Sequence, residues 1–352
     1  MKRRTLFTFV GMVFLMAFVI FGTSYAESKV YRWKFPVFWD KGSYYWEING
    51  PEFADLVKEM SNGQLILMPF GPGEIVSALD QADALSRGTF EIMVWHDGYW
   101  SGRNTGVGYY GYLPFGPWSM DEFNYWLWEE GGIELIREYY NEANIHYLGN
   151  SGYDDLEPIF SKKPIRTVED FSDIKMRSSG LALTFFKNLG ASVVALGGDQ
   201  TYEALQRGVI DAAEHTPASM MMDMGVHEVT DYVIQPIAHQ PYTNVAYYVH
   251  KPAWEKLPDH LKRILESASR VIYQRLKHES HKREFEAKDQ LEEKGMEFIH
   301  FPEEEQAKME KLAREIWKSH AKDSDFAHKV IKSQTDYLKK IGRLPESWQL
   351  EK

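Results

Sequence analysis

The run IDAAEHTP, residues 210–217, sets Glu214 beside His215 directly after a short apolar stretch. An acid and an imidazole in that relation could serve as general acid and base, hold a metal ion or wall a binding pocket. If the stretch is a strand, neighbouring side chains point to opposite faces, so the two cannot easily converge on one atom. The carboxylate of one residue and the backbone carbonyl of the other can, which favours oxygen ligation of a hard cation over a Glu-His dyad. Arg177, in KMRSSG, stands where another short predicted strand runs into a loop. Its planar, permanently charged fork suits a bidentate grip on a carboxylate. Asp154 and Asp155, in GNSGYDDLEP, form a loop acid pair of the kind that coordinates calcium or sodium, although Asp pairs are also ordinary turn chemistry. The aromatic residues Trp39, Trp95, Tyr99 and Tyr242 could wall a small pocket or fill the core. His278 and His281 in HESHK could meet on a helix face, where solvated charge is the plainer reading. The zinc-protease pattern HExxH, the nucleophile elbow GxSxG and the phosphate loop GxxxxGK are absent from the sequence.

The elements that must position these residues begin β-α-β-α, the pattern of an α/β sheet. VYRWKFPVFW (30–39) reads as a strand and YYWEINGPEFADLVKEMSNG as a helix closed by Gly63. QLILMPF is a second strand, and GPGEIVSALDQADALSRG a turn and helix. Residues 83–96 (DALSRGTFEIMVWH) and 203–216 (EALQRGVIDAAEHT) align without a gap, each a helix end, an Arg-Gly stop and a strand. Trp95 then falls on His215, and Val94 on Glu214. A helix-Gly-strand turn also recurs by chance. A true echo predicts two similar lobes presenting strand ends to a shared cleft, where ligands of open α/β sheets sit. Between the echoes lie a predicted helix pair, the strand NIHYLGNSG leaving toward the second lobe, and a Thr-x-x-Asp cap ahead of the strand IKMRS. From about Pro258 the chain is charged and keeps helical apolar spacing at Leu261, Ile264, Leu265, Ala268, Ile272 and Leu276. This predicts one long helix that wraps both lobes or packs on a second copy. The expected division is 27–150 for the first lobe, 151–250 for the second, and 251–352 for the long helix and C-terminal helices lying across both.

The 352 residues, 44% of them hydrophobic, suffice for two cores. Residues 1–26 carry Lys2, Arg3 and Arg4 before an apolar run, with Ser24 and Ala26 at small-residue positions: a cleaved secretory signal. The run is also nearly long enough to anchor the chain uncleaved. With no cysteine, neither a disulfide nor a lipid-modified N-terminal Cys is available, so a freely diffusing periplasmic protein is expected. Removing the three signal bases from 40 leaves 37 against 51 acids, a net charge of −14, which makes nucleic acid and anionic membranes poor partners.

The runs PFGPGEIVSALDQADALSRGTFEI, GGIELIREYY, PIRTVEDFSDIKMRSSG and FFKNLGASVVALGGDQTYEALQRGVIDAAE, with LPFG and HKPAWEKLP, together resemble the DctP-type solute-binding proteins of tripartite ATP-independent periplasmic (TRAP) transporters, and within them the 2-oxo-acid-binding branch. The resemblance covers residues 28 to about 345. It implies two α/β lobes closing on a small organic acid, no catalysis, and delivery of a 2-oxo or 2-hydroxy monocarboxylate to a membrane permease. The family's carboxylate-clamping Arg falls on Arg177. The branch's metal-holding Glu and the carbonyl of the following residue fall on Glu214 and His215, where His replaces the usual Trp. The ion implied is calcium or sodium. The branch's further Gln ligand falls on Asp154 if the GNSG residues are aligned, or on Leu156 by counting back from Arg177. Some members of the branch pair through the long helix, which extends to this chain the expectation of a homodimer. An exported metal-dependent hydrolase using Glu214 as base, or a ligand-sensing subunit of a membrane receptor, are the alternatives.

Overall fold

The computed structural model describes residues 29–116, 119–153, 157–196, 198–235 and 239–350. The expected signal segment and the pair Asp154 and Asp155 lie outside the described residues. Among the described residues no helix is long and apolar enough to cross a membrane.

Two sheets carry the fold. In the first, β1 (Tyr31–Pro36) pairs in parallel with β2 (Leu65–Phe70), while β3 (Ile92–His96), β10 (Val245–His250) and β4 (Ile145–Asn150) pair antiparallel. A parallel bridge from Val37 to Val94 joins the two groups, giving the order β2-β1-β3-β10-β4. The second sheet runs β7 (Ser192–Val194), β6 (Lys175–Arg177), β8 (Ala212–Glu214), β5 (Ile159–Ser161), β9 (Tyr232–Ile234) and β11 (Glu297–Ile299). Its first five strands repeat the directions of the first sheet: two parallel junctions, then two antiparallel ones.

The echo read in the sequence therefore marks equivalent places. β3 and β8 are each third in their sheet, and each follows a short helix, Gln81–Ser86 or Thr201–Gln206. Both helices stop in the same way. Gly88 (φ 76°) and Gly208 (φ 69°) take the left-handed conformation, with Gly88 N–H bonded to Leu85 O and Gly208 N–H to Leu205 O.

One boundary differs from expectation. Residues 245–250, expected in the second lobe, form β10 between β3 and β4 of the first sheet. After β9 the chain returns to fill that central slot, just as β5 crosses from the first sheet into the middle of the second. Each sheet is thus completed by a strand arriving from the other, and the two crossing segments, which follow β4 and β9, meet at the antiparallel Tyr153–Thr243 bridge.

The long helix spans Asp259–Glu293. Its apolar face buries Leu261, Leu265, Ala268, Ile272 and Leu276 in the core beneath the first sheet, and Leu291 in a core of the second. Glu284 adds a polar clamp, accepting the Ala218 and Ser219 N–H groups (3.0 and 2.7 Å) at the start of helix Ala218–Asp223. Spacing across two lobes thus explains a helix longer than either lobe needs. The Thr167–Asp170 cap is formed, with Asp170 Oδ2 accepting Thr167 N–H at 2.9 Å, but it starts a 3-10 segment, Val168–Asp173.

Candidate functional site

Arg177 ends β6 and is 4% exposed. Its Nη1 donates to Glu214 O (2.5 Å) and its Nε to Leu196 O (3.0 Å), which fixes the guanidinium plane at the strand ends. Glu214 ends β8, also buried, and its Oε2 accepts the Ser178 hydroxyl at 2.7 Å. His239 Nε2 lies 3.8 Å from Glu214 Oε1. Burial would raise the Glu214 pKa, but His239 and Arg177 outweigh it and hold the carboxyl below its usual range.

Glu157 faces Glu214 from the first crossing segment and is 1% exposed. Its Oε1 accepts from Gln240 Nε2 (2.7 Å), Thr243 Oγ1 (3.0 Å) and Tyr153 OH (3.2 Å), so the carboxyl ties the two crossing segments together. Among the described residues no backbone N–H or neutral side chain donates to its Oε2, and Glu214 is the group beside it. Burial, and next the neighbouring Glu214 charge, push the Glu157 pKa well up, the state of two carboxyls close enough to share one proton.

Two buried acids side by side make an arrangement completed by positive charge. A hard cation would replace the shared proton between them, with carboxylate and carbonyl oxygens of the kind calcium and sodium prefer. Among the described residues no three His, Cys, Asp or Glu side chains cluster as a metal site, so such an ion would draw on backbone carbonyls and on a ligand as well.

His215 follows Glu214 and turns to the opposite side, as strand alternation requires. Its ring lies over Gly198, where a Cβ would come within 2.0 Å of Nε2. Burial pushes the His215 imidazole down to about 3, and Arg177 adds to the effect. Its echo partner Trp95 behaves alike in the first lobe, donating from Nε1 to Ala78 O at 2.8 Å. Ala78 and Gly198 are themselves equivalent under the echo, so the residue after the third position of each strand docks on its own lobe's preceding turn.

Of the remaining sequence candidates, Tyr99 is at the centre's edge. Its ring packs against His96 (5.4 Å) and Phe38 (6.0 Å); burial pushes its phenol up while the Arg177 charge opposes it. Trp39 is 8% exposed and stacks on Tyr45 at 5.1 Å. Trp95 and Tyr242 are fully buried core residues, against Trp100 and Tyr248 for the first and Phe123 for the second. The structure thus gathers Arg177, Glu214, His215 and Tyr99, and leaves Trp39, Trp95 and Tyr242 in aromatic packing. His278 is exposed on the long helix.

Sequence reasoning missed Glu157, Ser178, His239, Gln240 and Thr243. The count back from Arg177 reached Leu156, one residue past Glu157. Ser178 stands next to Arg177 in the KMRSSG run, and His239, Gln240 and Thr243 come from the segment between β9 and β10, whose pairing only the fold reveals.

Residues 43–324 match the family model for DctP, bacterial extracellular solute-binding protein, family 7. The monocarboxylate 2-oxoacid-binding periplasmic protein of Nostoc sp. is 28% identical over 312 residues, 88% of this chain and 84% of that protein. A TRAP periplasmic solute-binding protein from Colwellia psychrerythraea, solved with calcium and pyruvate, is 27% identical with a TM-score of 0.82, over 89% of this chain and 95% of that one. Its counterpart from Pseudoalteromonas atlantica, solved with sodium and pyruvate, is 26% identical with a TM-score of 0.81, over the same shares. With its two repeated sheets, its paired crossing segments and this match over most of its length, the chain belongs to the DctP family of bacterial extracellular solute-binding proteins.

Proposed function

We propose that this chain is the periplasmic receptor of a TRAP transporter, capturing a small 2-oxo or 2-hydroxy monocarboxylate together with calcium or sodium and delivering it to the membrane permease. The observation that carries this reading is the Glu157–Glu214 pair beside Arg177, where the two lobes' crossing segments meet. Arg177 would grip the ligand carboxylate. Glu157, Glu214 and the His215 carbonyl would hold the ion, which bridges to the 2-oxygen. Relatives solved with calcium and pyruvate or with sodium and pyruvate support the pairing of ion and acid.

The hydrolase alternative asks Glu214 to accept a proton near neutral pH. Its carboxyl is held below the usual range, which suits a permanent anion better than a base. Residues 1–26 would be removed on export, and the lobes would comprise residues 27–150 with β10, and 151–244 with β11. Val271 and Phe285, 52% and 75% exposed and 14 positions apart on the long helix, share the face through which two copies would pair. Sedimentation as a monomer at micromolar concentration would exclude that pairing.

Calorimetry on metal-depleted protein tests the main reading. Pyruvate or lactate should bind with calcium or sodium present and lose most of its affinity without it. Arg177→Met should weaken every carboxylate ligand by at least a hundredfold, the consequence of removing one partner from a buried charge pair. Unchanged affinity in that variant removes the clamp from the reading.

A further inference from the structure

His96 closes β3 of the first sheet. Its Nδ1 lies 3.1 Å from Asn244 O. A carbonyl can only accept, so Nδ1 carries the proton and the neutral ring leaves Nε2 as a bare acceptor. Among the described residues Nε2 has no hydrogen-bond partner. The ring is set into a niche of two glycines: a Cβ at Gly98 would fall 2.2 Å from Nε2, and one at Gly111 3.3 Å from Cε1. A side chain at Gly98 would displace the ring and one at Gly111 would crowd it, so the backbone of two separate elements makes room for it. A Cβ at Gly180, three positions past Arg177, would lie 4.0 Å from Gly98 O, which sets this niche against the loop that follows Arg177; the Glu214 charge reaches His96, and the Tyr99 ring meets the imidazole edge-on at 5.4 Å. Burial lowers the His96 pKa, which keeps the ring neutral.

We propose that His96 is a specificity-determining residue whose Nε2 accepts a hydrogen bond from the ligand, and that the cargo is a short 2-oxo monocarboxylate bearing a hydroxyl at C3. This rests on the reading of the site as a receptor for 2-oxo acids. With the carboxylate on Arg177 and the 2-oxygen on the ion, the part of the ligand left to meet the first lobe is the carbon chain beyond C2. An aliphatic chain leaves the fixed acceptor unpaired on closure, and a second carboxylate sets acceptor against acceptor. A hydroxyl satisfies it.

3-Hydroxypyruvate and 2-oxobutyrate have equal numbers of heavy atoms and differ in hydroxyl against methyl, so calorimetry of the pair with calcium present isolates the contact. The expected result is hydroxypyruvate bound about tenfold more tightly. The ratio should fall toward one in His96→Leu, and persist in His96→Gln, whose amide oxygen also accepts. A ratio, unlike an absolute affinity, is insensitive to general damage in a variant. Equal wild-type affinities, or a ratio undiminished in His96→Leu, overturn the assignment to His96 and leave the receptor reading intact. Failure of both acids to bind, with or without the ion, overturns the receptor reading and this inference with it.

Discussion

Glu157→Gln isolates the charge that distinguishes this site, because it keeps an oxygen in place and removes one carboxylate of a buried pair. Breaking a buried ionic contact costs about 3 to 5 kcal/mol when one partner is deleted outright. The retained amide oxygen puts the substitution near the lower end, roughly a hundredfold in affinity for a divalent ion. The Coulomb contribution scales with the charge of the ion, so the loss for a monovalent ion should be about half as large in free energy, roughly tenfold. The calcium-to-sodium preference should therefore drop by about tenfold, whatever the absolute affinities are.

The ion-free protein supplies a second readout with its own sign. The folded pKa of Glu157 is raised, so its contribution to stability is present below the ordinary carboxyl range and is lost as pH rises through the folded value. At acidic pH the protonated wild-type side chain resembles Gln, and the two proteins should unfold alike. Toward alkaline pH the wild type should weaken while Glu157→Gln holds. Calcium and sodium titrations in the presence of pyruvate, with urea unfolding of chelated protein at several pH values, measure both. Equal losses for calcium and sodium refute the assignment of Glu157 to the ion, and a wild type no more pH-sensitive than the variant refutes the shared proton.

Three further outcomes follow from single contacts. Asp97 is buried, accepting from Tyr140, Tyr248 and Asn244, and burial pushes its carboxyl up to about 7 despite those donors; its stabilising effect is lost between pH 4 and 7, on the order of 4 kcal/mol over the whole window, and Asp97→Asn should flatten that slope in urea titrations. Gly198→Ala would place a methyl 2.0 Å from His215 Nε2 and should cost about 1 to 3 kcal/mol in unfolding experiments, relieved by His215→Ala in a double-mutant cycle. Glu284→Ala removes both carboxylate bonds to the start of helix Ala218–Asp223 and should destabilise by about 1 to 2 kcal/mol, with hydrogen exchange at Ala218 and Ser219 accelerated first.

The parts of the molecule legible in its sequence are those set by local rules. Arg-Gly helix stops, the Thr167–Asp170 cap and the apolar spacing from Leu261 to Leu276 each act within a few residues, and the elements stand where those rules put them. Arg177 and Glu214 were legible because strand ends facing a cleft are natural positions for buried charge. Glu157 was not: its meaning comes from Gln240 and Thr243, more than 80 positions away, and its neighbour Glu214 is 57 positions on. The placement of β10 was hidden for the same reason. Nothing in VAYYVH says which sheet will take it, since its partners β3 and β4 lie far earlier in the chain.

The repeated lobe explains why one strand end holds a buried carboxylate and its equivalent is core. Both third strands carry the same helix stop and the same docking of the next residue on the preceding turn, Trp95 on Ala78 and His215 on Gly198. At the position before, the first lobe has Val94, fully buried, where the second has Glu214. A carboxylate there is tenable because Arg177, Ser178 and His239 converge on it, and because the crossing segments bring Glu157 alongside. The first lobe then contributes through the residue after Trp95, His96, which stands opposite as a neutral acceptor. Duplicated backbone with unlike charge on its two strand ends lets one lobe bind the ionic head of a ligand and leaves the other to read the rest.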